Sequence, residues 1–401
     1  MKKNKHIIGF LVLHLLVYSI YNLGHPVTPQ YIKDINAPVY MTGVLLGVMA
    51  LAQFIFAPLW GQISDDFSRK IAFLGPGGYA FGQLGFIFLS DPGQLAIFRF
   101  ISGGFAVITT TVHYAYISDK AHDLDEKAKY LGIAALLLPI GVFFGYAVGG
   151  YIGDLLNPRM VFVVQAIASL ISAIILYFYV DSPVNKKASI KDIKFNVFKE
   201  NGKLLTRYSD TALKYILLIT LFNIVSYQLT FAQSSVILNS GFNKTSGFIG
   251  LFVATFNLSA GLASFIVQPK LFKSKRKNYD YLPMLSLASI GCSLLAFMAA
   301  FTSPLLMWIG LMLSTILNTT FIALIQDIIT KVDKGNEKGA LIGINQAVQS
   351  LGTFVGTTGG GLILSHYVFG PLIAGAIMFL LTFILNQFVV NKQLHATLAN
   401  K

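Results

Sequence analysis

The chain has 401 residues, 55% of them apolar and only 12% charged, and it carries a formal net charge of +13. A soluble domain has about a quarter of its residues charged, so this composition excludes a water-soluble fold. With apolar runs of bilayer length recurring throughout, it indicates a polytopic membrane protein.

The start, MKKNKHIIGFLVLHLLVYSIYNLG, has the basic end and apolar core of a signal peptide. Its apolar run is too long and no small-residue cleavage site follows, so it reads as a retained first span. Apolar runs and their breaks predict helices near 7–24, 40–60, 71–89, 95–116, 130–152 and 160–180. A polar stretch, 181–213, follows. Six more helices are expected near 214–236, 246–267, 281–301, 305–329, 340–366 and 371–390. The expected architecture is an all-α membrane protein with twelve spans in two six-helix bundles, 1–180 and 214–401. Ile190, Ile193, Val197 and Phe198 in the connection follow a helical period among lysines. That suits an amphipathic helix on the membrane surface, or a plain tether. The single cysteine, Cys292, excludes an internal disulfide.

Basic residues test the span count, because cytoplasmic segments collect Lys and Arg. With the N-terminus inside, such segments hold 26 of the 30. Expected external loops carry only Lys33, Arg159 and Lys244, and Arg99 falls within a span. Both termini are therefore expected inside. The positive charge is a topology signal and a lipid-surface contact, not a nucleic-acid footprint.

The halves are related. EKAKYLGIAALLLPIGVFFGYAVGG at 126–150 returns, without a gap, as EKGALIGINQAVQSLGTFVGTTGGG at 337–361. Gly141, Gly145, Gly149 and Gly150 fall on Gly352, Gly356, Gly360 and Gly361, and the acid–base pair that opens each copy matches. Glycines four apart clear one helix face, so another backbone can approach closely. Such a face serves either a fixed contact or a moving gate.

Three further stretches carry a family pattern. The turn after the second predicted helix contains Gly61, Asp65, Arg69 and Lys70 in GQISDDFSRK. The fourth helix opens LAIFRFISGG around Arg99, and the first ends near PVTPQYIKD. Together with the helix 5 glycines, these resemble the signature motifs of the major facilitator superfamily, most closely its twelve-helix drug:proton antiporter branch. The turn pattern departs at Asp66, where a base is usual, and at Ser68, where glycine is usual. The helix 5 motif has Tyr146 in place of proline, although Pro139 could bend the helix earlier. The second half shows KLFKSKRK with no acid at the matching turn, so that copy is read as lost. The resemblance implies a latch at Gly61, Asp65, Arg69 and Lys70, and a coupling role for Arg99. A guanidinium inside a span costs roughly 2.5 kcal/mol or more and faces a cavity or partner by default; a snorkelling arginine is the alternative.

No carboxylate is expected near the bilayer midplane, where this branch commonly has one. Asp327, close to Lys331, reads as a surface pair. The midplane holds neutral groups instead: His14, Gln53, Gln228, Asn257, Asn318 and Gln349, with Gln346 a turn away. Tyr18, Tyr21, Phe54, Phe143, Tyr227, Phe231 and Phe321 lie at similar depth. Buried amides need partners. They either tie helices together or line the cavity that the resemblance places at the repeat interface. His14 and His113 are the intramembrane groups whose ordinary titration lies near neutral pH, which makes His14 the first candidate proton carrier and Arg99 its modulator.

The expected function is proton-driven efflux of lipophilic or amphipathic drugs by alternating access. The alternatives are a facilitator or symporter for a neutral metabolite such as a sugar, and a flippase for a lipid-linked substrate. No nucleotide-binding loop, metal cluster or catalytic triad is present, so neither an enzyme nor an ATP-driven pump is expected, and no cofactor or metal. Partners would be the small-molecule substrate, protons and the bilayer. The protein is expected to be a monomer in a bacterial plasma membrane.

Overall fold

The computed structural model describes residues 2–181, 213–272, 280–332 and 338–389. The amphipathic segment expected in the 181–213 connection and the basic KRK at 275–277 lie outside the described residues. Among those described there is no strand.

The helices are α1 (Lys2–Asn22), α2 (Thr28–Asp34), α3 (Met41–Asp66), α4 (Leu74–Phe88), α5 (Pro92–Ala106), α6 (Ile108–Lys120), α7 (Leu124–Leu155) and α8 (Pro158–Tyr179). They continue as α9 (Leu213–Phe231), α10 (Ser246–Leu262), α11 (Tyr281–Ala299), α12 (Pro304–Val332), α13 (Lys338–His366) and α14 (Gly370–Val389). A 3-10 turn, Arg69–Phe73, joins α3 to α4. Asp91, Asp123 and Asn157 cap α5, α7 and α8 by accepting from the backbone N–H three residues on. Pro92 and Pro158 follow two of these caps, where a missing N–H costs nothing.

Ten stretches among the described residues are long and apolar enough to cross a membrane, with His6–Asn22 a shorter apolar helix. Twelve were expected. The remaining long helix, α13, is rich in glycine, serine, threonine and amides, which lowers its hydropathy. The expected fourth span is two helices in line, α5 and α6, separated at Val107. There Thr110 and Thr111 turn their hydroxyls back to donate to the Val107 carbonyl, a bond that loosens a helix. The short α2 was not expected. Asn36, with φ of 54°, follows it in the left-handed conformation that ends helices.

Two compact units result: Met1–Phe195 with Asn243–Leu258, and Asn196–Phe242 with Ser259–Lys401. In the first, α7 packs on α1 through its glycine face. A Cβ on Gly145 would lie 2.4 Å from the Ser19 carbonyl, and one on Gly149 would lie 2.0 Å from that of Leu23. Gly150 turns to the start of α10, where a Cβ would meet the Ser246 carbonyl at 2.4 Å. In the second, α13 packs on α9 in the same way, with Gly352 against Ile224 and Gly356 against Gln228 and Val225. The repeat seen in the sequence thus has a physical meaning. Each glycine helix packs on the first long helix of its own unit.

Away from these seams the surface is apolar. Ile167, Leu170, Ile171, Ile174 and Phe178 line one face of α8 and are all at least 52% exposed. A stripe of that size on one helix face needs a covering, and lipid supplies it.

Candidate functional site

Four polar groupings stand out against this apolar background, three in the first unit and one in the second. The first surrounds Arg99 on α5, which is 1% exposed. Its Nη2 lies 3.1 Å from His25 Nδ1, in the turn after α1, while Nε and Nη1 have no hydrogen-bond partner. The guanidinium sits 5.5 Å from the Phe86 ring centre. No carboxylate pairs with it among the described residues. Snorkelling is excluded by its burial. His25 in turn stacks on Tyr146 with ring planes 8° apart and centres at 5.6 Å. Tyr146 is the residue that stands where the resemblance expects proline, so the departure adds a ring to the Arg99 neighbourhood. Beside it, α1 ends with unpaired carbonyls, as every helix does. Tyr79 donates to the Tyr21 carbonyl at 2.7 Å, and Gln165 donates to the carbonyls of Ile20 and Tyr21 at 2.7 and 3.0 Å. Tyr21, an expected lining residue, is buried and stacks on Tyr79.

The second grouping is His14 with His113 from α6. Both are 0% exposed, their Nδ1 atoms are 3.2 Å apart, and neither Nε2 makes a hydrogen bond.

The third lies at the turn where the resemblance implied a latch. Arg69 bonds Asp65, one helical turn back, and Asp119 at 2.7 Å on α6, and it donates to Ser64 at 2.8 Å. Lys70 sits over the Tyr177 ring of α8. Ser68 needs no glycine. Its backbone is extended, with φ of −178°, and its hydroxyl caps the 3-10 turn by accepting from Lys70 N–H. A side chain at Gly61 would meet nothing within 4 Å.

In the second unit the amides tie helices together. Asn223 donates to Asn318 at 2.8 Å, the Tyr227 hydroxyl lies 3.2 Å from that of Thr315, and Gln228 donates to Thr353 at 3.2 Å. Tyr227 stacks on Phe231 at 5.0 Å. Asn257 bonds the Val253 carbonyl of its own helix. Phe321 is 1% exposed within the apolar core, and Gln346 is exposed. The unspent capacity is on α13. Asn345 is 0% exposed with neither amide atom partnered, and Gln349, one turn on, has an unpartnered buried Nε2. Tyr18, Gln53, Phe54 and Phe143 are half-buried in the first unit. Asp327 forms the expected pair with Lys331, at 2.5 Å near the end of α12. No group of three or more metal-ligating side chains occurs among the described residues.

The family model described as Major Facilitator Superfamily matches residues 10–357. The chain belongs to the major facilitator superfamily. It is 24% identical over 368 residues to multidrug resistance protein 2 of Bacillus subtilis, covering 88% of this chain and 87% of that one. It is 26% identical over 212 residues to the class B tetracycline resistance protein of Escherichia coli, covering about half of each. Among solved structures, a bacterial homologue of the human lysosomal transporter Spinster superposes with a TM-score of 0.79 over 98% of both chains, at 13% identity. As a member of this superfamily the chain is a membrane-embedded transporter of small molecules.

Sequence reasoning passed over His25, Asp119, Asn223 and Asn345. Nothing in the local pattern of His25, or of Tyr146 at the proline position, announces Arg99. Asn345 adjoins Gln346, so an amide was noticed one residue away from the buried one. Helical spacing back from Gln349 pointed to it, because residues four apart share a face.

Proposed function

We propose that this transporter is a secondary active exporter, using the proton gradient to expel lipophilic or amphipathic compounds by alternating access. In this reading the helices make twelve spans in two groups of six, with both termini at the cytoplasmic face of a bacterial plasma membrane, and the protein works as a monomer. The observation that carries it is the division of polar chemistry between the two units. Titratable imidazoles and an uncompensated guanidinium sit in the first. The second offers the neutral hydrogen-bonding groups of Asn345 and Gln349 and the stacked rings of Tyr227 and Phe231. Charge handling then belongs to the first unit and solute recognition largely to the second. The multidrug and tetracycline resistance relatives support export of drug-like compounds.

A second reading is a facilitator or symporter for a neutral metabolite, favoured by Asn345, whose buried amide can bond a hydroxyl or carbonyl of a solute. Purified protein in liposomes, given ethidium under an imposed pH gradient, separates the two. Accumulation against the dye gradient, abolished by a protonophore, supports the exporter. Movement of a neutral sugar with no dye transport supports the second reading.

A further inference from the structure

We propose that His14 and His113 form a single shared-proton site, in which the unpartnered Nε2 of the ring that donates the bridging hydrogen takes up the transported proton. The proposal deepens the proton-driven reading above, on which its role in transport rests.

The two imidazoles come from α1 and α6 and meet Nδ1 to Nδ1 at 3.2 Å. Only one of two facing nitrogens can carry the bridging hydrogen, so one ring donates and the other accepts. The accepting ring then carries its hydrogen on Nε2, while the donating ring leaves a lone pair on its Nε2, and neither Nε2 has a hydrogen-bond partner. A proton arriving at the donating ring bonds to that lone pair. The pair passes from neutral to a single positive charge, spread over both rings through the Nδ1–H···Nδ1 bond. Loss of the same proton restores the starting state.

The surroundings oppose a second charge on the pair. Phe10 lies edge-on to His113 at 5.1 Å and Tyr114 edge-on to His14 at 5.7 Å. The titratable groups of the surrounding cluster are phenols: Tyr114, against His14, Tyr116 on α6 and Tyr130 on α7, with Tyr18 of α1 near Tyr114 and His6 a further 6.4 Å from Tyr116. Charged side chains on the neighbouring elements are placed elsewhere. Asp65 and Asp119 both pair with Arg69, and Lys70 and Lys120 sit over Tyr177 and Tyr116. Asp66 is at the end of α3, and Asp125, Glu126, Lys127 and Lys129 are in the first turns of α7. On α5 and α8, Arg99 engages His25 and Arg159 engages Ser90. Since no carboxylate contacts either ring among the described residues, a second positive charge would have no compensation, and the pair takes one proton, not two.

The test uses the full chain in lipid nanodiscs with 15N-labelled histidine, followed by NMR from about pH 9 to about pH 4. The result expected is a nitrogen–nitrogen coupling across the His14–His113 bond and one protonation event shared by both rings. That coupling vanishes in His14→Gln and in His113→Gln. In liposomes, pH-gradient-driven accumulation by each single variant falls about tenfold or more, and the double variant is no worse than the worse single. Two independent titrations, or no proton taken up by either ring, overturns the site. So does undiminished gradient-driven transport in the double variant. A shared proton in NMR with a wild type indifferent to the pH gradient leaves the site standing and removes the proton-driven reading instead.

Discussion

Laid side by side, the seams α1–α7 and α9–α13 share one design and differ in what the glycines touch. In the first, Gly145 and Gly149 abut the carbonyls of Ser19 and Leu23, so backbone meets backbone. In the second, Gly352 and Gly360 abut side chains of Ile224 and Gln233, and only Gly356 comes within 3 Å of a carbonyl, that of Val225. Side chains can move aside and carbonyls in a helix cannot. Both seams therefore keep the glycine stripe, and the second is packed more loosely around it. The polar groups diverged further, to imidazoles and Arg99 in one unit and to amides in the other.

The largest effect expected breaks the tighter seam. Gly149→Val places its side chain into the Leu23 carbonyl and should abolish recovery of folded protein in size-exclusion chromatography. Gly360→Ala displaces only the end of Gln233 and should cost about 1 to 3 kcal/mol, the range for overpacking. Equal damage from both would remove the distinction between the seams.

Arg99→Met should abolish gradient-driven transport without destabilising the fold. A buried charge with no carboxylate is costly, so its replacement by an apolar side chain of similar length should leave stability unchanged or raise it. Thermal unfolding in detergent should show an equal or higher midpoint. A clear drop would mean that Arg99 serves the structure.

A double-mutant cycle on Asn223 and Asn318 should give a coupling near 0.6 kcal/mol, at most about 1.7, as for other hydrogen bonds between membrane helices. Zero coupling would free these amides from the helix-tying role that their 2.8 Å bond gives them. The smallest effect should come from Gly132→Ala and Gly343→Ala, matched positions where a Cβ meets nothing within 4 Å. Both should shift stability by less than about 0.5 kcal/mol.

Much of the fold was legible because lipid imposes long apolar runs. The predicted helices at 160–180, 281–301 and 371–390 match α8, α11 and α14 to within two residues. The break at Val107 was not legible, since threonines bonding back to carbonyls leave the hydropathy unchanged. Of the candidate site, Asp65 and Arg69 stood out through the family resemblance, and Arg99 as a charge inside an apolar run. Partners were not legible. Asp119 lies 50 residues from Arg69, His25 lies 74 from Arg99, and His113 lies 99 from His14. Each meeting depends on how helices pack, which no local spacing records. Gln53 and Asn257 show the reverse case, amides conspicuous in sequence that form no tie to another helix among the described residues.

The division of labour between the units is tested most directly by transport in liposomes with one variant from each. His14→Gln with His113→Gln should remove the dependence on the pH gradient. Asn345→Ala with Gln349→Ala should keep that dependence and weaken the concentration dependence for substrate about tenfold. If the imidazole variant keeps its response to the gradient and the amide variant loses it, the assignment of charge handling to the first unit is wrong.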